Sequence, residues 1–156
     1  MTVSSIDAGK TLCELSGWQT SNLRLQKLLY IAHMYYMRGG NGDLVRENFE
    51  AWKFGPVEPG LYHYCKVYGA DPIGRIFPKN GGVKHGSPEF KILDETIKAA
   101  EGITEAALVS FTHWEKGAWH KTRERGEVLI PRGFIKEECE ARDEVREERR
   151  RNNDQH

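Results

Sequence analysis

Apolar positions in this chain recur with helical spacing over most of its length and alternate like a strand in one short stretch. The clearest helix follows Thr20-Ser21-Asn22. There Leu25, Leu28, Leu29, Ala32, Tyr35 and Tyr36 fall at i, i+3, i+4, i+7, i+10 and i+11, and Gly39-Gly40 ends the run. Ahead of it, Ser4 or Ser5 can cap a shorter helix with Ile6, Leu12, Cys13 and Leu15 on one side, closed by Gly17. Phe49, Ala51, Trp52 and Phe54 alternate as in a strand over 49–54, with aromatic rings on one face. Gly55-Pro56 is expected to stop that ladder, because Pro56 has no N–H to donate. The turn signal Asn41-Gly42-Asp43 would let Leu44-Val45 pair with the strand as a small hairpin. Pro59 then suits the first turn of a helix carrying Leu61, Tyr64, Cys65 and Tyr68.

Residues 70–86 are punctuated by Pro72, Gly74, Pro78 and Gly81-Gly82, a length of irregular chain that is usually functional or mobile. Ile73, Ile76 and Phe77 are expected to pin its first half. Ser87-Pro88-Glu89 opens a helix with the stripe Phe90, Leu93, Ile97 and Ala100. Thr104 opens another with Ala107, Leu108 and Phe111 inward, and a further turn or helix carries Trp114 and Trp119. The last helix starts at Ile130-Pro131, and its apolar Phe134, Ile135 and Cys139 give way to charge on every side. Pairs such as Glu138 with Arg142 and Glu147 with Arg151 favour helix there, yet residues 140–156 bury too little to hold themselves on a core and are expected to form a frayed, solvated tail. The pattern therefore predicts a mainly α protein: a compact single domain over 1–139, about six to seven helices with a small β-hairpin, and a C-terminal charged helical tail.

Composition narrows the function classes. The 156 residues suffice for one domain with a core, and 23 Lys+Arg balance 23 Asp+Glu. A net charge of zero argues against a general binder of nucleic acid or membrane surfaces. Cys13, Cys65 and Cys139 are odd in number and form no CxxC pair, which suits a reducing compartment, the cytoplasm by default. No apolar run approaches the roughly 20 residues of a membrane span, and the first residues lack the order of a signal peptide. Arg24 and Lys27 sit near a helix N-terminus, where the macrodipole disfavours each by about 0.3–1 kcal/mol, so a carboxylate partner such as Glu50 or Glu58 is expected.

Motifs of catalysis are weak. Ala8-Gly9-Lys10-Thr11 ends like a phosphate loop, but Ser4 stands where GxxxxGK[ST] needs its first Gly and no strand precedes it. His113-Trp114-Glu115 matches the HxE of zinc deaminases without the accompanying PCxxC. A metal cluster of His113, His120 and Glu115 carries less weight than a hydrogen-bonded structural histidine. Cys65, with His63 or His33 as base, falls on an inward stripe, where cysteine is usually inert. Arg149-Arg150-Arg151, interleaved with acids, reads as a solvated helix end before it reads as a nucleic-acid contact. The aromatics are more informative. Tyr35, Tyr36, Trp52, Tyr62, Tyr64, Tyr68, Trp114 and Trp119 are too many for a small core, and roughly two or three are expected at an interface.

Three segments together resemble a known family. LQKLLYIA at 25–32, FEAWKFGPVEPGLYHYCKVYG at 49–69 and THWEKGAW at 112–119 are similar, in order and spacing, to the Panacea domain, the phage-associated or GepA-like family that includes the SocA-type antitoxins. The resemblance extends over 6–139. It implies a mainly helical fold with a small hairpin, no cofactor, no enzymatic activity, and service as the antitoxin of a toxin–antitoxin pair that binds and neutralises a cognate toxin. In the SocA branch it further implies a proteolytic adaptor presenting the toxin to the ClpXP protease. Residue by residue it covers Lys27, Leu28 and Tyr30, then Glu50, Trp52, Gly55, Pro56 and Tyr62, then His113, Glu115 and Trp119. Of these, Lys27, Tyr30, Glu50, Trp52, Tyr62, His113, Glu115 and Trp119 are the expected partner-binding residues. Gly60 and Ala118 depart from the family pattern, which puts a binding edge and not the fold in question. The rival readings are a DNA-binding autoregulator of its operon and, behind it, a metal-dependent enzyme using His113, Glu115 and Glu50.

Overall fold

Helix boundaries follow local capping chemistry. The structure, a computed structural model, describes residues 2–155. The Ser4 hydroxyl accepts from the Asp7 N–H to start α1 (Ser5–Leu15), and Ser21 accepts from Arg24 N–H to start α2 (Asn22–Tyr36). A two-stranded antiparallel sheet follows, β1 (Glu50–Trp52) with β2 (Gly55–Val57). The carboxylate of Glu58 takes both Gly60 and Leu61 N–H groups at the start of α3 (Pro59–Cys65). Ser87 caps α4 (Pro88–Ala99) and Thr104 caps α5 (Glu105–Thr112), and α6 (Ala118–Glu124) and α7 (Arg132–Asp154) complete the chain. The described residues thus form the expected mainly α fold, seven α-helices with one small hairpin.

The central element is α2, which packs against α1, α3, α4, α5, α7 and β2. Its Leu25, Leu28, Leu29 and Met34 are sealed from solvent, each contributing about 1.5–3 kcal/mol by leaving water. Against α3, α1 approaches closely at Gly9: a Cβ there would stand 2.7 Å from Leu61 Cδ1. The phosphate-loop-like tetrapeptide is therefore interior helix. Side chains of α1 tether the 70–86 segment: Lys10 Nζ donates to the carbonyls of Pro78, Lys79 and Gly81, Asp7 accepts from Gly82 N–H, and Thr11 accepts from Val83 N–H. Ile73, Phe77 and Val83 bury the same segment's apolar groups.

The hairpin differs from expectation. Leu44-Val45 pairs with Val3, not with the aromatic strand, and β1 folds back through Lys53-Phe54 onto Gly55-Pro56-Val57. Pro56 does not stop the ladder, because it faces Ala51 at a pair that exchanges no hydrogen bonds. Ala51 instead donates outward to Val128 O at 2.7 Å, so residues 128–130 cover the outer edge of β1.

Two further expectations are corrected. Arg24 reaches no carboxylate among the described residues; it donates to Ala100 O, at the C-cap of α4 where a cation is favoured, and to Ile103 O just beyond it. In α5 only Leu108 of the expected inward trio is buried, and Ala107 and Phe111 are exposed, because the helix packs on α2 and β2 and leaves its other side to solvent. The charged C-terminal segment is helical as expected, α7 running from Arg132 to Asp154. Among the described residues Glu138 and Arg142 do pair, whereas Glu147 and Arg151 do not.

Candidate functional site

The hairpin and the start of α3 bring several half-exposed aromatic rings together. Trp52 meets Tyr62 edge-on at 5.0 Å between ring centroids, and His63 lies 5.4 Å from Tyr62. The Trp52 indole N–H donates to the Glu50 carboxylate at 2.9 Å, which fixes the ring. Behind it, Trp119 Nε1 donates to Trp52 O at 2.6 Å, and Arg123, lying over the Trp119 ring, donates to Ala51 O. His113 stacks flat on Trp119, centroids 3.8 Å apart and planes 5° from parallel. Side chains from β1, α3, α5 and α6 thereby hold one aromatic face, with Phe54 at its tip 57% exposed.

Beneath that face lies a polar layer. Lys27 is fully buried and donates to Pro56 O at 2.7 Å, with no ion pair among the described residues. Burial brings its ammonium down to about 7. Gly55, at φ +114°, is required here: a Cβ would stand 2.8 Å from Thr112 Oγ1 and 3.0 Å from Lys27 Nζ. His113 is likewise held below the usual imidazole range, first by burial and then by the nearby Lys27, against the opposing pull of the Phe54 carbonyl. Its Nε2 is buried without a partner among the described residues, as are Asn22 Oδ1 and Gln26 Nε2. Gln26 Oε1 accepts from Glu58 N–H, and Asn22 donates to Tyr62 O, so these amides already clamp α3 to α2.

The expected site residues divide into three groups. Glu50, Trp52, Tyr62, His113 and Trp119 come together at the hairpin, with Lys27 directly under them. Tyr30 belongs to a separate buried cluster, where its hydroxyl donates to Glu138 at 2.6 Å. Glu115 is exposed on the α5–α6 connection and makes no hydrogen bond or ion pair among the described residues. Sequence reasoning missed Phe54, His63 and Arg123 as members of the face. Phe54 was legible in principle, since an aromatic in a two-residue hairpin turn has no core to enter; nothing local marks Arg123.

Of the enzyme-like candidates, His113 and Glu50 lie at this face and the cysteines lie elsewhere. Among the described residues no three His, Cys, Asp or Glu side chains group to hold a metal, and no helix is long and apolar enough to cross a membrane. Cys65 and Cys13 are buried neighbours whose thiols burial pushes up to about 11 and 12, the opposite of nucleophile activation. His33 is buried, accepts from Val45 N–H, and is lowered to about 4 by burial.

Comparison with known proteins matches the chain over the same elements. The protein named Antitoxin SocA, from Caulobacter vibrioides (strain NA1000 / CB15N), is 57% identical over 49 residues, 31% of this chain and 26% of that relative, so the alignment spans about a quarter of its length. No solved structure matches. The pattern of the family described as antitoxin SocA-like, Panacea domain, fits residues 25–120, more than half of the chain and the whole stretch from α2 through the hairpin to the His113–Trp119 stack. The chain belongs to the antitoxin SocA-like, Panacea domain family.

Proposed function

We propose that this chain is an antitoxin that binds and neutralises a cognate toxin protein, and that the hairpin face is the contact surface. One observation supports both halves: the matched region 25–120 contains the clustered Trp52, Tyr62, His113 and Trp119. Trp and Tyr are the commonest anchors of protein interfaces, and a face tied down by Trp119 and Glu50 loses little ordering entropy when a partner docks. Phe54 supplies the protruding apolar group, Glu50 and Arg123 the polar rim, and exposed Val128 and Leu129 extend the apolar surface along the covered edge of β1. Lys27 acts from below, by fixing the hairpin through Pro56 O, and Tyr30 acts through α7. Glu115 contributes from the neighbouring connection. The interaction takes place in the cytoplasm, where three free cysteines remain reduced. A finer reading adds delivery of the bound toxin to the ClpXP protease, with neutralisation completed by degradation.

Co-expression with the protein encoded beside this chain tests the reading. Phe54→Asp, at an exposed position, is expected to leave the thermal melt unchanged while weakening toxin binding by about 2 kcal/mol, roughly 30-fold, and abolishing rescue of growth. Full rescue by Phe54→Asp would remove the hairpin from the interface, and a neighbour that is neither toxic nor bound would remove the antitoxin reading.

A further inference from the structure

A second surface lies away from the hairpin. Between α2, α4 and α5 runs a trough of about 530 Å³ floored by Ile31, Ile92, Ala100, Ile103, Leu108 and Phe111. A second hollow of about 410 Å³ continues it along α7, sharing Tyr35, Phe111 and Arg146 with the first. None of Trp52, Phe54, Tyr62 or Trp119 lines either hollow. On this floor Ile103 and Phe111 remain 42% and 36% exposed.

The walls restrict what can lie there. They are helices and the short connections that join them, with no strand among them, so an extended segment would find no strand edge to satisfy its backbone N–H and C=O groups, whereas a helix satisfies its own. The charges restrict it further. Arg38, Arg142, Arg146 and Arg149 line the two hollows against the single acid Glu95, in a chain whose net charge is zero. Arg38 is paired with Asp143 and Arg142 with Glu138, but Arg146 and Arg149 form no ion pair among the described residues. Arg146 rests over the Tyr35 ring at the junction of the hollows.

We propose that this trough docks an amphipathic helix of a partner protein, its apolar stripe on the floor and its carboxylates against Arg146 and Arg149. The site is independent of the hairpin face, so it stands or falls separately from the antitoxin reading.

The test uses the full chain and two designed helical peptides with leucine at i, i+3, i+4 and i+7, one carrying glutamate and the other lysine on the flanking positions. The glutamate peptide is expected to bind at least about tenfold more tightly than the lysine peptide, and to shift the amide resonances of Ala99, Ile103, Ala107 and Phe111. Ala107→Trp, at an exposed position lining the trough, should abolish binding without lowering the thermal melt. The double variant Arg146→Glu, Arg149→Glu should reverse the preference between the peptides. Equal affinities, no binding at millimolar peptide, shifts confined to the hairpin, or binding that survives Ala107→Trp would each overturn the proposal. So would a dimer in sedimentation that Ala107→Trp dissociates, which would assign the trough to a second copy of the chain.

Discussion

Glu138 and Lys27 are both buried ionisable side chains, 1% and 0% exposed, yet their surroundings are opposite. Glu138 receives the Tyr30 hydroxyl, the Ala118 N–H at the start of α6, and the guanidinium of Arg142, which also lies over the Phe111 and Trp114 rings. Even the backbone yields to it: a Cβ on Gly117 would stand 3.1 Å from the Glu138 carboxyl carbon. Lys27 has one carbonyl, Pro56 O, and no counter-charge among the described residues. Among the described residues the orphaned buried polar atoms are on Asn22 and Gln26, which share α2 with Lys27, and on His113 nearby, and none is on Glu138 or its partners. The contrast separates two uses of buried polarity. A fully paired group pins α7, α6 and α2 in one arrangement, while an under-paired one sits directly beneath the surface assigned to a partner, where polar strain is commonly retained.

The largest expected effect breaks the paired side. Glu138→Ala strands Arg142, Tyr30 and the Ala118 N–H, and should cost about 3–5 kcal/mol in urea unfolding. Tyr30→Phe, removing one donor, should cost less than half of that.

On the other side the signature is pH dependence. Lys27 has its folded pKa lowered from 10.5 to about 7, so between those values the unfolded chain holds the extra proton and stability rises with pH. From pH 7 to 9 that contribution amounts to about 2 kcal/mol. The raised thiols of Cys13, Cys65 and Cys139 act oppositely from about pH 9 upward, since there the unfolded chain has lost protons that the folded chain keeps. The readout is therefore the difference between the parent and Lys27→Met, whose cysteines are the same. A parent-minus-variant stability that stays flat over pH 7–9 would put a counter-charge beside Lys27 and dissolve the contrast.

The smallest effect comes from the same helix as Glu138, four residues beyond the half-buried Asp143. Glu147 is exposed and unpaired among the described residues, so Glu147→Ala should change stability by no more than about 0.5 kcal/mol. A larger loss would mean that the charged end of α7 is packed as firmly as its first half.

Much of the architecture was legible because its causes span three or four residues. Ser4, Ser21, Ser87 and Thr104 cap the helices that their positions suggested, since a hydroxyl reaches the N–H three residues on whatever the rest of the chain does. The aromatic stretch at 49–57 was recognisable as strand and turn, but its partner strand was not. A two-residue turn and a longer loop both satisfy the local pattern, and only the edge supplied by residues 128–130 shows which groups of Ala51 face outward. The candidate residues were legible in the same uneven way: Trp52, Tyr62, His113 and Trp119 converge, whereas Tyr30 lies in the Glu138 cluster.

By itself, then, the sequence determined the helices, their caps, the aromatic hairpin and the family, all of which rest on residue types at short spacing. Tertiary structure alone decided which groups meet: Lys27 with Pro56 across 29 residues, Arg24 with Ala100 across 76, Tyr30 with Glu138 across 108. Such pairings depend on how helices pack around α2. No periodicity encodes them, because the same lysine or tyrosine suits a helix equally well whether its distant acceptor is a carboxylate, a carbonyl or water.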